Sequence, residues 1–550
     1  MCVRPFLCCS AVAAAAAAAP ATAQQTNWAL TNARIETASP AGVIERGTVL
    51  IRNGLIVAVG PTVAVPPDVR VLDLSGRTVF PGLIDLTSSL GIATPPTSGA
   101  GGGGGGGGGA FAQPATGNVG LEPHRVVAGE LKPAAADVRA GREAGVVAVL
   151  VAPTRGAFRG QSVLLPLKDS VTGSDALRSP VALHMGFQGV AGRYPATLLG
   201  VIAYERQAFY DAQRHGQLVE RYRTDPRGME RPVNDPVVDA LVPAVRGSLP
   251  VFFAAHNESE IRRALGLAQE FGLDLTVVGA TEGFLVASAL AATRKPLVVS
   301  VDFPRAPQTT GWAYRQSQRR APNDSAAADS GVQKLLQANA AALHGAGVRF
   351  ALASGGLRPG EFLGNVRKAI SAGLPRVAAL EALTIRAAEV AGAGRQLGSI
   401  EAGKIANLVV TEGDLLGDSA KVRIVFVDGE RYDVVAPPPA RGRSGADTAA
   451  VPIAGIWDVT TSSPQGPNTG VLTIAQDGNT LRGTMAGQFG SNEIESGEVR
   501  GRSVRWTVNV TVGGQQFTVT YEGDVDGNRM TGTADVGSFG SFPFTAEKRP

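Results

Sequence analysis

Cysteine is nearly absent from this chain of 550 residues: there are three, Cys2, Cys8 and Cys9. All lie in the opening segment. Beyond it there is no disulfide, no thiolate nucleophile and no cysteine-based zinc site, so the remaining chain is held by its apolar cores alone. Charge is sparse too, at 18% of residues with a formal net of +4, and basic runs are no longer than Arg319-Arg320. A nucleic-acid-binding face needs concentrated positive charge, so the balance argues against that class. Gly-x-Ser-x-Gly, His-Glu-x-x-His and a dinucleotide fingerprint are all missing. No apolar run after the N-terminal segment is long and uninterrupted enough for a transmembrane helix.

Glycine is in excess, with 70 residues. Nine of them form the unbroken run Gly101 to Gly109, flanked by Ala, Pro and Ser. A phosphate-cradling loop would be followed by a Lys and a Ser or Thr opening a helix, and none follows. The run reads as a flexible insertion over 99–110. The N-terminus has a basic Arg4, an apolar core from Phe6 to Ala19 and the small-x-small site Ala21-Thr22-Ala23. This predicts a signal peptide over 1–23, a mature chain from Gln24, and a periplasmic or secreted protein.

Residues 26–79 alternate apolar and polar positions, with Asn53-Gly54 suited to a tight hairpin. From residue 80 short apolar runs alternate with helical patterns. The runs are TVFPGLID, VVAVLVA, PVALHM, LPVFFAA, LDLTVVG, PLVVSVDF and VRFALAS. Continuous apolar strands spaced by helices indicate a parallel sheet buried on both faces. Seven candidates are one short of an eight-stranded barrel, and the missing strand is expected within 186–248, beside a helix near 197–223. Asn257 and Glu260 form a capping box ahead of a helical pattern that Gly272 ends. Residues 304–331 read as a long loop, either a lid or disorder. Residues 436–452 are a linker by composition. Residues 453–550 form a separate all-β domain of about eight hairpin-linked strands, an up-and-down barrel. Its entry Gly455-x-Trp457 and exit Lys548-Arg549 resemble a lipocalin-like motif.

The segment LEALTIRAAEVAGAGRQLGSIEAGKIANLVV (380–410), the strand pair VRIVFVDGERYDV (422–434) and PGLID (81–85) together resemble the amidohydrolase superfamily, of the imidazolonepropionase-like kind. Asn407 stands where the family has Asp. The resemblance covers roughly 26–434. It implies a (β/α)8 barrel over 80–397, beside a discontinuous β-sandwich made of 26–79 and 398–434.

The resemblance also implies a divalent metal such as zinc, held at the barrel mouth, and hydrolysis of a non-peptide C–N bond, as in a cyclic amide. PGLID would be followed by His-x-His on one strand face, but Thr87 and Ser89 stand there. Hydroxyls are poor substitutes for imidazole. The fifth strand offers Ala254, or His256 one step further out. The sixth has no His, and the eighth ends in Ser354 and Gly355 where an Asp would be expected. The metal site therefore reads as degenerate.

Barrel-mouth candidates that remain are His184, ending the third apolar run, His256, Glu282 and Asp302. His184, His256 and Asp302 are candidates to converge. The ordinary readings are a helix first turn for Glu282, a strand end or loop brace for Asp302, and a strand-one turn for Asp85. His124 and His215 read as surface residues, and His344 as a helix C-terminal residue. Ser162 in RGQSVLL resembles a family segment rather than a nucleophile site. Two readings stay open: an exported amidohydrolase, or a catalytically inactive relative that binds a small molecule or partner at the barrel mouth. Oligomerisation is open as well.

Overall fold

The computed structural model describes residues 26–92, 121–189, 195, 197–303, 325–434 and 451–549, apart from 464–465, 488–489, 513–514 and 536–540. The expected signal peptide, the glycine run, linker residues 436–450 and loop residues 304–324 lie outside these.

The alternation in 26–79 becomes β1 (Trp28–Glu36), β2 (Val43–Arg52), β3 (Leu55–Gly60), β4 (Arg70–Asp73) and β5 (Thr78–Pro81). Asn53 and Gly54 both take positive φ, which lets a two-residue turn match the strand twist. β2 and β3 pair antiparallel across them.

The apolar runs that follow form β6 (Leu83–Ser88), β7 (Val146–Val151), β8 (Phe158–Gln161), β9 (Val163–Pro166), β10 (Leu183–Gly186), β11 (Val251–Ala255), β12 (Leu275–Gly279), β13 (Leu297–Ser300) and β14 (Phe350–Ala353). β6 pairs with β7, and β10 to β14 pair in succession, all parallel. Every residue of β7, β10, β13 and β14 is buried, as strands covered on both faces require.

The strand expected within 186–248 is not there. That stretch holds α2 (Leu198–Thr224) and α3 (Pro236–Val245), while α1 (Ala135–Glu143) precedes β7. The missing strand is RGQSVLL. β8 and β9, separated at Ser162, fill the gap between β7 and β10 and run antiparallel to both. The barrel wall thus has seven parallel strands and one reversed. PVALHM becomes its fourth strand, not its third, and His184 moves with it. The polar run Arg159 to Ser162 hid this strand. Gln161 and Ser162 are buried, with Gln161 Nε2 donating to Pro123 O at 2.9 Å and Ser162 Oγ to Ala182 O at 3.4 Å.

α4 (Glu258–Phe271) forms as its sequence dictates. Asn257 Oδ1 accepts from Glu260 N at 3.0 Å, Glu260 Oε2 accepts from Asn257 N at 3.4 Å, and Gly272 ends the helix in the left-handed region. Ile261, Ala264, Leu267 and Phe271 form its buried face. Further on are α5 (Ala287–Thr293), α6 (Ser325–Gly345), α7 (Pro359–Ser371), α8 (Arg376–Leu383) and α9 (Ile385–Val390). Residues 325–331, expected in a loop, belong to α6; their alanines favour helix.

β15 (Leu408–Glu412), β16 (Lys421–Val427) and β17 (Glu430–Asp433) return to the N-terminal strands. The strand order is β17-β16-β15-β5-β1-β2-β3, with β4 also on β1. The two pieces of the flanking unit, 26–79 and 398–434, thus join in one hydrogen-bonded sheet. Ala406 bridges its ends, donating to Gly54 O and accepting from Gly429 N. Trp28, Leu30, Ile51, Val79, Leu408 and Phe426 share its core.

The segment 380–410 has a mechanical logic. Lys404 Nζ holds Gly394 O at 2.8 Å and Ser399 Oγ at 2.6 Å, pinning the loop that leaves the barrel. Gly398 is required there: a Cβ would stand 2.7 Å from Ile385 Cα, and its φ is +90°.

The C-terminal unit is a closed barrel of eight antiparallel strands, β18 (Gly455–Ser463) to β25 (Ser541–Lys548), each paired with the next, and β18 with β25. Its interior is filled by side chains, including Trp457, Trp506, Tyr521, Met530 and Phe544. Trp506 and Tyr521 stack with ring centroids 4.8 Å apart. Entry and exit meet as expected, with Lys548 Nζ 5.7 Å from the Trp457 ring centroid. Among the described residues no helix is long and apolar enough to cross a membrane.

Candidate functional site at the barrel mouth

A parallel barrel strand delivers the residues at and just beyond its C-terminal end to one mouth. Here that mouth encloses a cavity of about 520 Å³. Thr87, Ser89, Ala254 and Gly355, the four positions where the resemblance implies ligands, all line it. So do His184, His256, Glu282 and Asp302.

Thr87 belongs to a hydrogen-bonded cluster. Its Oγ1 lies 3.2 Å from Asp85 Oδ1 and 3.3 Å from Ser354 Oγ, and accepts from Gly355 N at 2.8 Å. Asp85 does more than brace the strand-one turn. It accepts from Ser354 N at 2.9 Å and Ser354 Oγ at 2.7 Å, tying the first barrel strand to the last.

At two glycines of the mouth a Cβ would collide with a neighbouring side chain as it is placed. A Cβ on Gly355 would stand 1.9 Å from Ser300 Oγ, and the residue has φ of +69°. A Cβ on Gly279, at the end of β12, would stand 2.6 Å from the His256 ring. The imidazole of His256 thus fills the space over the sixth strand end.

His184 is only 6% exposed, packs 5.3 Å from the Phe252 ring, and its Nε2 has no hydrogen-bond partner. Burial, reinforced by the Arg159 charge, lowers its pKa to about 3, so it is neutral at ordinary pH. Glu282 does not lie in a helix first turn. It precedes a 3-10 turn over Gly283–Val286, and its Oε2 accepts from Glu258 N at 3.1 Å, at the start of α4. Asp302 Oδ1 accepts from Ser300 Oγ at 2.9 Å, just past the end of β13. His184, His256 and Asp302 share the cavity. Among the described residues, however, no three His, Cys, Asp or Glu side chains are placed to hold one metal ion.

His124 is exposed, and His344 is in the last turn of α6. His215 is not a surface residue: its side chain is 14% exposed, and Nε2 lies 2.7 Å from Asp239 Oδ1, linking α2 to α3.

The sequence reading missed Arg159 and Glu205. Arg159 is the second residue of β8 and lines the cavity. Glu205, on α2, is fully buried with neither carboxyl oxygen hydrogen-bonded, and burial raises its pKa well above the carboxylate range. Arg159 was missed because the strand carrying it was itself unplaced, and Glu205 because helical periodicity does not single out one buried carboxylate.

Residues 310–435 match the amidohydrolase family. A stretch of 58 residues is 47% identical to imidazolonepropionase of Symbiobacterium thermophilum, covering 10% of this chain and 14% of that relative. The structure is similar to that of an amidohydrolase from Thermotoga maritima MSB8, with a TM-score of 0.61 and 22% identity, over 74% of this chain and 100% of that one. Residues 310–435 thus match an amidohydrolase family model, a short segment is similar to part of imidazolonepropionase, and the larger unit shares the fold of the Thermotoga maritima amidohydrolase.

Proposed function

We propose that this protein binds a small molecule at its barrel mouth and has lost the metal-dependent hydrolysis that the superfamily implies. The observation that carries this is the end of the eighth strand. The proton-accepting Asp expected there is replaced by Ser354, whose hydroxyl is bonded to Asp85, and by Gly355, whose positive φ and contact with Ser300 Oγ disfavour a side chain. Thr87, Ser89 and Ala254 add no imidazole or carboxylate. This donor set does not fit a catalytic zinc ion, which takes three protein nitrogen, sulfur or carboxylate ligands and an open position.

Elemental analysis of the purified mature protein tests this reading. The expected result is no stoichiometric metal and no rise in melting temperature on adding zinc. Stoichiometric zinc, manganese or iron would overturn it. The second reading, a hydrolase of a non-peptide C–N bond, is favoured by His184, His256 and Asp302 lining one cavity. Turnover of a cyclic amide by the purified protein would establish it. Export is proposed on residues 1–23, and N-terminal sequencing of the mature chain should then begin at Gln24.

A further inference from the structure

The reversed strand brings Arg159 to the mouth. Its Nε donates to Gly156 O at 3.2 Å, and the guanidinium lies against the backbone of Gly186. A Cβ on Gly186 would stand 2.3 Å from Nη2 and 2.9 Å from Cζ, so glycine there makes room for the charge.

Among the described residues no carboxylate bonds this guanidinium; Glu205 and Glu260 act on it only from a distance. Glu260 Oε2 is committed to the start of α4, accepting from His256 N at 2.8 Å and Asn257 N at 3.4 Å. Burial raises the Glu205 pKa well above its usual value, and neither of its carboxyl oxygens is hydrogen-bonded to Arg159. His184, beside Arg159, is neutral, with Nε2 unpartnered. Two polar groups with unmet bonding capacity, Arg159 and His184, therefore line the same cavity, with Glu205 buried behind them. A cation taken from water without a hydrogen-bonded counter-charge is costly. An arriving anion removes that cost.

We propose that Arg159 anchors the carboxylate of a small-molecule ligand whose uncharged body fills the rest of the mouth. This rests on the barrel-mouth binding reading. A guanidinium presents a planar fork that matches the two oxygens of a carboxylate. The site offers one positive charge, and Glu260, Glu282 and Asp302 line the same cavity, which disfavours a dianion. Phe187, Val278 and Leu336 supply apolar wall for the ligand body.

The test is calorimetric titration of the full chain with N-acetylglycine and benzoate, each beside its amide (N-acetylglycinamide, benzamide), and with inorganic phosphate. At least one acid should bind, with its amide weaker by about tenfold or more. Arg159→Met should abolish the difference and Arg159→Lys should retain part of it. Gly186→Ala, which displaces the guanidinium, should behave like Arg159→Met while circular dichroism stays unchanged. Acid and amide binding equally, phosphate binding better than either acid, neither acid binding, or Arg159→Met binding like wild type would each overturn the proposal. Should Arg159→Met fail to fold, the acid–amide comparison on wild type and Arg159→Lys still decides it. Stoichiometric metal in the purified protein would instead overturn the loss of hydrolysis, and leaves the acid–amide comparison to be read separately.

Discussion

Asp85 and Ser354 close the large barrel. The Asp85 carboxylate accepts the Ser354 hydroxyl at 2.7 Å and its backbone N–H at 2.9 Å, across 269 positions of sequence. Among the described residues β6 and β14 share no backbone ladder, so side chains do the stitching at this seam.

Cutting the seam should be expensive. Asp85→Asn turns one acceptor into a donor facing Ser354, and buried bonds to a charged group contribute about 1.5–3 kcal/mol each. A loss of about 2–3 kcal/mol is expected in urea unfolding, against about 1 kcal/mol for Ser354→Ala. The double variant should lose less than the sum, since both changes remove the same bonds.

Restoring histidines at the first strand should not restore a metal site. Thr87→His with Ser89→His should contain no stoichiometric zinc by elemental analysis, because the ends of β12 and β14 supply no ligand. It should also be less stable than wild type by about 1–2 kcal/mol, from the lost acceptor for Gly355 N.

Gly355→Ala should destabilise by about 1–3 kcal/mol, through positive φ and the contact with Ser300. Adding Ser300→Ala removes the clashing oxygen and should recover part of that loss, leaving the backbone strain. Chemical denaturation of the two variants separates the terms.

Two buried groups set opposite limits on pH. The His184 pKa falls from 6.5 unfolded to about 3 folded, so the unfolded state binds the extra proton between those values. Stability from this group is full above pH 6.5 and declines on acidification, by up to about 1.4 kcal/mol per pH unit. Glu205 has a raised folded pKa, so its contribution is full below its unfolded value near 4.5 and declines as pH rises. His184→Gln should flatten the acid limb of a stability–pH curve and Glu205→Gln the alkaline limb.

In the C-terminal barrel, Trp457 is fully buried and donates from Nε1 to Ile453 O at 2.9 Å. Trp457→Ala should cost about 3–5 kcal/mol and lower the melting of this unit.

Most of the architecture was legible because burial on both faces writes long apolar runs, and hairpin turns demand particular residues. Asn53-Gly54, the capping box at Asn257 and the closed C-terminal barrel all follow from such local chemistry. The strand at 158–166 was not legible, because its buried polar residues are satisfied by carbonyls distant in sequence, such as that of Pro123. At the mouth, the residues singled out by strand-end logic line one cavity, apart from the buried Ser354. Arg159 escaped because that logic inspects strand C-termini, whereas it sits at the N-terminal end of a strand that runs the other way. The filling of the space over Gly279 by His256, and over Gly355 by Ser300, depends on side-chain placement, to which sequence spacing is blind.

The reversed strand also bears on how the barrel assembles. Parallel neighbours need a long crossover before their first contact, whereas antiparallel ones are joined by a short loop. β7 meets β9 as soon as residues 152–162 are made, with Val151 opposite Val163 and Ala148 opposite Pro166. Contacts of such low sequence separation close cheaply and early. This corner of the wall gives the chain a local starting point for a topology otherwise built from distant pairings.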